Sequence, residues 1–125
     1  MTTWTTDELG RIEAAEELEI AALRGDGTLR KSVPIWVVRD GDDIYVRSYR
    51  GGGSAWFRAA QTGGEGHVRS GGVDKDVTFA VETDPAVNDR IDATYRSKYR
   101  RYGSSYIDPM VADQARDATI KLVPR

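Results

Sequence analysis

Short glycine-containing turns separate the apolar segments of this chain, and they limit its fold more than any other feature. Such turns lie at residues 25–27, 40–43 and 71–72. Turns of this length join neighbouring antiparallel strands. Residues 32–38 are apolar at odd and even positions, which is typical of a strand covered on both sides. Pro34 removes one backbone donor from that strand, so we expect it at an edge or a bulge.

Helix signals lie on both sides of the strand segments. Thr5 and Glu8 form a capping-box pattern, which predicts a helix over about residues 6–15. Asp84 and Asp108 each precede a proline, a pair typical of a helix start. We therefore expect a long helix that begins after Asp84 and a short one that begins at Asp108, before the last strand.

Together these segments predict one domain over residues 1–125, mainly β with α decoration. The predicted architecture is a six-stranded antiparallel β-barrel with an N-terminal helix, a short helix after the third strand and a helix before the last strand. Closing the sheet removes its edges and buries strands that are apolar on both faces. The regular helix–strand alternation of a doubly wound fold is missing from the central hairpins.

Composition excludes several kinds of chemistry. The chain has no cysteine and a single histidine, His67, so thiol nucleophiles, disulfides, thiolate zinc and His-rich metal sites are excluded. We expect no metal and a surface or rim position for His67. The net charge of −2 gives no overall attraction to nucleic acid or anionic membranes. Without an export signal or a membrane-length apolar run, we expect a soluble cytoplasmic protein.

The candidate binding site is a basic, glycine-rich segment between the third strand and the short helix. Its residues are Arg47, Ser48, Tyr49, Arg50, Gly51, Gly52, Gly53, Ser54, Ala55, Trp56 and Arg58. Three glycines allow backbone N–H groups to converge, and a helix start adds partial positive charge, so the segment predicts a phosphate site. The alternative interpretation is a plain tight connection.

One face of the third strand supports the same interpretation. Tyr45, Arg47 and Tyr49 alternate with Ile44 and Val46, so they lie on the opposite face from these apolar side chains. We expect that this aromatic, cationic face is not a core face. It suits a planar anionic ligand, and the alternative is a solvent face on which Arg47 stacks against tyrosines.

Several motifs resemble a known superfamily. The chain resembles the split β-barrel flavoproteins related to pyridoxamine-phosphate oxidase. The resemblance lies in the order of four segments: residues 34–38, the turn after Asp40, the glycines at 51–53 and the segment 55–58. The chain is most similar to their deazaflavin-dependent nitroreductase branch and to an uncharacterised group of short proteins, over about residues 18–122. The resemblance implies a split barrel, a homodimer, and a phosphorylated aromatic cofactor, FMN or coenzyme F420, bound between subunits.

The resemblance also implies roles for particular residues. The glycine loop, with Gly51, Gly52, Trp56 and Phe57 at the matching positions, would wrap the cofactor phosphate. Arg47, Ser48 and Lys31 would contact the phosphate as well. From their aromatic side chains, Trp36, Tyr45, Tyr49 or Trp56 would flank the ring.

The leading hypothesis is an FMN- or F420-dependent oxidoreductase that transfers hydride or electrons to a small organic acceptor. Its catalytic residues are not identified, and Tyr49 and Tyr106 are the candidates for a proton donor. Ser54 and Ala55 stand where the branch has His-Pro, which motivates an alternative: a non-catalytic ligand-binding or assembly module without cofactor. A third hypothesis, ranked lowest, is nucleic-acid binding by the basic aromatic residues 95–102.

Overall fold

A computed structural model describes residues 3–48, 56–58, 61 and 64–125 of the chain. Its seven strands are β1 (Glu17–Ala22), β2 (Val33–Trp36), β3 (Val38–Asp40), β4 (Asp43–Arg47), β5 (Glu65–Ser70), β6 (Val73–Val81) and β7 (Thr119–Pro124). Its longer helices are α1 (Thr6–Ala14), α2 (Pro85–Lys98), α3 (Ser104–Val111) and α4 (Asp113–Arg116), and a 3₁₀ turn (Arg100–Tyr102) follows α2. The architecture is a mainly antiparallel sheet with helical additions, as the sequence predicts.

The sheet curls into a nearly closed barrel. Its strand order is β2-β1-β5-β6-β7-β4-β3, and every neighbouring pair is antiparallel. The two edge strands, β2 and β3, follow one another in the chain with only Val37 between them. The two edges of the sheet therefore meet, and Val37 marks the seam of the barrel.

The strand count is seven rather than six because the predicted strand over residues 32–38 is two strands. Val33–Trp36 pairs with β1, and Val38–Asp40 pairs with β4. At the change of partner, the Val37 N–H donates to the Tyr99 hydroxyl at 3.0 Å instead of to a neighbouring strand. Pro34 lies on the edge strand β2, so its predicted edge position is confirmed.

The local signals for turns and helix starts are confirmed with one exception. Thr5 and Glu8 form both bonds of the capping box, and the Asp84 side chain accepts from the Ala86 N–H at 2.9 Å. The predicted helix start at Asp108 is wrong, because α3 begins at Ser104 and includes Asp108 and the following proline. Gly103, with a φ of 85°, reverses the chain before α3 and sets its actual start.

Apolar side chains form two separate cores. The first fills the barrel with residues of β1, β4, β5, β6, β7 and α1, including Leu18, Ile20, Val46, Ile120 and Leu122. The second lies between the outer face of β3 and β4 and the helices α2 and α3, and it comprises Val38, Tyr45, Ile91, Tyr95, Tyr99, Ile107 and Met110.

The second core corrects an expectation about β4. Its face with Tyr45 and Arg47 was expected to lie outside any core, but both side chains are buried. The cause is α2, which packs across β3 and the adjoining part of β4 and covers that face. Both faces of β4 are therefore interior.

Candidate functional site

Antiparallel pairing brings several strand ends together at one end of the barrel. β4 ends beside the start of β7, where the Ser48 N–H donates to the Ala118 carbonyl at 3.2 Å. β2 starts beside the end of β1, where the Arg30 N–H donates to the Ala22 carbonyl at 2.8 Å. β5 also starts at this end, since Gly66 pairs with Ala22.

Part of the predicted site lies outside the described residues. This part comprises Tyr49, Arg50, Gly51, Gly52, Gly53, Ser54 and Ala55. The described members are Lys31, Trp36, Arg47, Ser48, Trp56 and Arg58. The structure therefore locates the flanks of the glycine segment, and the phosphate role of its backbone stays a prediction.

Arg47 has a different environment from the one predicted. The residue is 1 % exposed, and its guanidinium makes five hydrogen bonds within the protein. Nε donates to Thr119 Oγ1 at 2.9 Å, and Nη1 donates to Asp92 Oδ1 and to the Met110 carbonyl. Nη2 donates to the Asn88 carbonyl and side-chain oxygens at 3.1 and 2.9 Å. Because a guanidinium has five N–H donors, none remains for a phosphate, and the expected phosphate role of Arg47 is corrected.

The Arg47 network joins five elements of the fold: β4, α2, α3, α4 and β7. Asp92 of α2 also accepts from Arg116 of α4, and the Thr119 hydroxyl of β7 donates to Asn88 Oδ1 at 2.8 Å. Sequence reasoning missed these partners. The available signal was the spacing of Asn88 and Asp92, one helical turn apart on the face that also carries apolar side chains.

Trp36 is half-buried and forms one wall of a groove beside the edge strand β2. Its ring stacks on Tyr99 with 3.9 Å between centroids and 2° between planes, which fixes the indole. The groove has a volume of about 460 Å³ and is lined by Glu17, Pro34, Ile35, Trp36, Ser105, Tyr106, Pro109 and Met110. Tyr106 is 64 % exposed, so its hydroxyl is accessible at the groove. The groove offers a mainly apolar surface with few polar groups, as small-molecule sites do.

The other described residues of the predicted site differ in exposure. Lys31 lies two residues before β2, is exposed, and forms no ion pair or hydrogen bond with the described part of the chain. Arg58 is exposed and Ser48 is buried. Trp56 is half-buried against the barrel core, edge-on to Phe57 at 6.1 Å. Lys31 is thus one of two exposed cations just before β2, and Arg30 is the other.

His67 lies on the outer face of β5, partly exposed, in agreement with its predicted rim position. Its Nδ1 is 2.7 Å from Asp76 Oδ1, and its Nε2 contacts Asp74 Oδ1. The hydrogen bond to Asp76, with that to Asp74, raises the pKa of His67. No group of three or more metal-ligating side chains occurs within residues 3–48, 56–58, 61 and 64–125. Across the same ranges, no helix is both long and apolar enough to cross a bilayer.

Solved structures with the same fold are more similar in shape than in sequence. A conserved hypothetical protein from Mycobacterium tuberculosis has a TM-score of 0.73 at 12% identity, covering 99% of this chain and 82% of its own. A Listeria innocua protein described as a pyridoxamine 5′-phosphate oxidase has a TM-score of 0.67 at 16% identity, covering 94% and 90%. An F420 reductase has a TM-score of 0.57 at 18% identity, covering 93% and 91%.

The fold is therefore that of the pyridoxamine-phosphate-oxidase-like split barrels, as the sequence motifs imply. Further structures with this fold are described as FAD-binding or haem-binding proteins. Comparison with curated protein sequences gives no match. The family model described as "uncharacterized protein conserved in bacteria" (DUF2255) matches residues 8–122, so the chain belongs to that family.

Proposed function

We propose that this protein binds a phosphorylated flavin or deazaflavin, FMN or coenzyme F420, and acts as a small oxidoreductase. The observation that carries the proposal is the groove beside β2, with Trp36 in its wall and the exposed Lys31 just before the same strand. Relatives in fold that are described as an F420 reductase and a pyridoxamine 5′-phosphate oxidase support it.

The groove fits the chemistry of such a cofactor. Its volume lies within the usual range of small-molecule sites, and its walls are mainly apolar and aromatic. Lys31 and Trp36 are five residues apart, about 16 Å along an extended chain. An elongated molecule with a phosphate at one end and a ring at the other matches this separation of a cation from an aromatic wall.

In this proposal the described residues of the site have separate roles in cofactor binding. The Lys31 ammonium pairs with phosphate, and the indole of Trp36, held by Tyr99, contacts the ring. Arg58, Trp56 and the glycine segment at residues 49–55 complete the site in this proposal, and Arg47 is not part of it. A bound flavin or deazaflavin supplies hydride or electron transfer to a small organic acceptor.

Tyr106 is the proposed proton donor. It lies in the groove with an exposed ring, and a phenol in this position can donate a hydrogen bond or a proton to an acceptor. The apolar neighbours Ile35 and Met110 exclude water from the adjoining wall. We also propose a homodimer, following the resemblance to split-barrel flavoproteins.

The two alternatives differ in their support. A non-catalytic module without cofactor stays consistent with the fold, and cofactor titration separates it from the oxidoreductase. The nucleic-acid hypothesis needed an exposed aromatic surface at residues 95–102. Tyr95 and Tyr99 are buried, and Arg101 pairs with Glu16, so the described surface does not offer those rings for base stacking.

Titration of the purified protein with FMN and with F420, followed by fluorescence, tests the proposal. We expect micromolar binding of one of them, and about tenfold weaker binding for Lys31→Ala, because a charge-assisted hydrogen bond contributes about 1.5–3 kcal/mol. Arg96→Ala removes another exposed cation, on the far part of α2, and is the matched control with unchanged affinity. Failure of both ligands to bind at micromolar concentration contradicts the proposal and favours the non-catalytic module.

A further inference from the structure

A second cavity lies away from the groove, between α1, β3 and α2. Its volume is about 310 Å³, and it is lined by Glu13, Arg39, Ala93, Thr94, Ser97 and Lys98. None of these residues belongs to the proposed cofactor site. Two hydroxyl groups and three charged groups make this lining polar, in contrast to the apolar groove beside β2.

Lys98 is held in a defined position at the wall of this cavity. Its Nζ donates to the Val37 carbonyl at 2.7 Å and lies 5.3 Å from the centroid of the Tyr99 ring. The backbone carbonyl takes one N–H of the amine and orients it. Lys98 is also one of the residues that line the cavity.

The other charged groups of the cavity are already paired. Arg39 Nη1 lies 3.2 Å from Glu13 Oε1, and Arg39 Nε donates to the Gly41 carbonyl at 2.7 Å. Lys98 has no carboxylate partner in the described residues. Burial therefore lowers the pKa of Lys98 to about 8, and the negative charge of Glu13 opposes this shift in part.

We propose that Lys98 is a nucleophilic amine that condenses with a small, polar carbonyl compound bound in this cavity. The neutral Nζ attacks the carbonyl carbon, and the resulting carbinolamine loses water to give an imine. One C=N bond replaces the C=O bond, no oxidant or reductant is needed, and the product regains the amine on hydrolysis. The Ser97 hydroxyl can bond a polar group of the ligand, and the Thr94 hydroxyl, which donates to the Arg90 carbonyl at 2.9 Å, can accept from one.

Reductive trapping tests this inference on the intact chain. Glyoxylate with cyanoborohydride is added at pH 8, and the modified lysines are identified by peptide mapping. The chain has four lysines, Lys31, Lys75, Lys98 and Lys121, and the α-amino group is followed separately. At pH 8 an ordinary lysine is about 0.4% neutral and Lys98 about half, so we expect Lys98 to react at least about tenfold faster than Lys31. The rate at Lys98 is expected to saturate with glyoxylate.

A variant separates this role from simple exposure. Glu13→Gln removes the negative charge that opposes the shift, so the midpoint of the pH–rate profile at Lys98 is expected to move to lower pH. The change leaves the contact of Lys98 with Val37 in place. Equal rates at Lys98 and Lys31, or a rate at Lys98 that rises linearly with glyoxylate without saturation, would overturn the proposal. Neither result depends on flavin or deazaflavin binding.

Discussion

Arg47 and Asp92 form an ion pair in the interior, with side-chain exposures of 0% and 11%. The pair joins β4 to α2, and the remaining donors of Arg47 bond Asn88, Thr119 and the Met110 carbonyl. The guanidinium thus anchors the helices over the outer face of the barrel. Its contribution is to stability, in contrast to the ligand role that its sequence context indicates.

Removing one partner of this pair is expected to destabilise the protein strongly. Asp92→Ala leaves the buried guanidinium without its carboxylate, and such a loss costs about 3–5 kcal/mol. Urea unfolding followed by circular dichroism measures the change. Asp89→Ala, one turn earlier in α2 and exposed, removes only a surface contact with Arg116 and is the control, with a change within about 1 kcal/mol. Equal effects of the two substitutions would contradict the structural role of Asp92.

The hydroxyl of Tyr99 is expected to stabilise the seam of the barrel. It accepts from the Val37 N–H at 3.0 Å and donates to the Glu16 carbonyl at 2.7 Å. Tyr99→Phe leaves a buried N–H without a partner, which costs about 1–3 kcal/mol. The matched control is Tyr102→Phe, whose hydroxyl contacts the more exposed Glu16 carboxylate. Thermal unfolding of both variants is the measurement, and a larger loss for Tyr102→Phe would refute the argument.

Gly66 is expected to resist substitution because of its neighbours. A Cβ at this position would lie 2.4 Å from the Ala21 carbonyl oxygen and 2.5 Å from the Phe79 ring. Gly66→Ala therefore forces β1 or the ring to move and costs about 1–3 kcal/mol. Gly10→Ala in α1 has open space around it and should stabilise the helix by up to about 1 kcal/mol. Denaturant midpoints of the two variants should move in opposite directions.

The His67 cluster predicts a pH dependence of stability. The carboxylates of Asp76 and Asp74 raise the pKa of His67 above the ordinary value near 6.5. The folded state therefore binds the proton more tightly than the unfolded state, and the stabilisation is fully present below about pH 6.5. It is lost as the pH rises through the folded-state pKa.

His67→Gln should remove that part of the profile. We expect the free energy of unfolding of the wild-type protein to fall between about pH 6.5 and the raised pKa, relative to this variant. Denaturant unfolding at a series of pH values measures it. Parallel profiles of the two proteins across this window would show that the Asp76 and Asp74 contacts do not stabilise the imidazolium.

Sequence reasoning succeeded where the determinants are local. The capping box at Thr5, the cap at Asp84 and the glycine turns depend on side chains within a few residues, so their positions are confirmed. The prediction for Arg47 failed because the alternation of side chains identifies the two faces of a strand. It does not show which face other elements cover. The partners of Arg47 lie 41 to 72 residues away in the chain. Distance in sequence likewise hid the hydrogen bonds of Tyr99 that divide the predicted second strand.

The same contrast between local signals and distant contacts applies to the candidate site. The sequence predicted the strand segment that carries Trp36, because its apolar pattern is local. The groove wall contributed by Tyr106, Pro109 and Met110 comes from α3, whose start was wrongly predicted. Its position depends on tertiary packing against Tyr99 and Tyr102 rather than on local signals.

The single-residue passage at Val37 restricts how this chain can change in length. A turn such as the one at residues 25–27 can accept extra residues without disturbing either adjoining strand. An insertion beside Val37 would shift the register of β2 or β3, because β2 ends and β3 begins immediately next to it. Length variation among related sequences is therefore expected at the hairpin tips and excluded at this position.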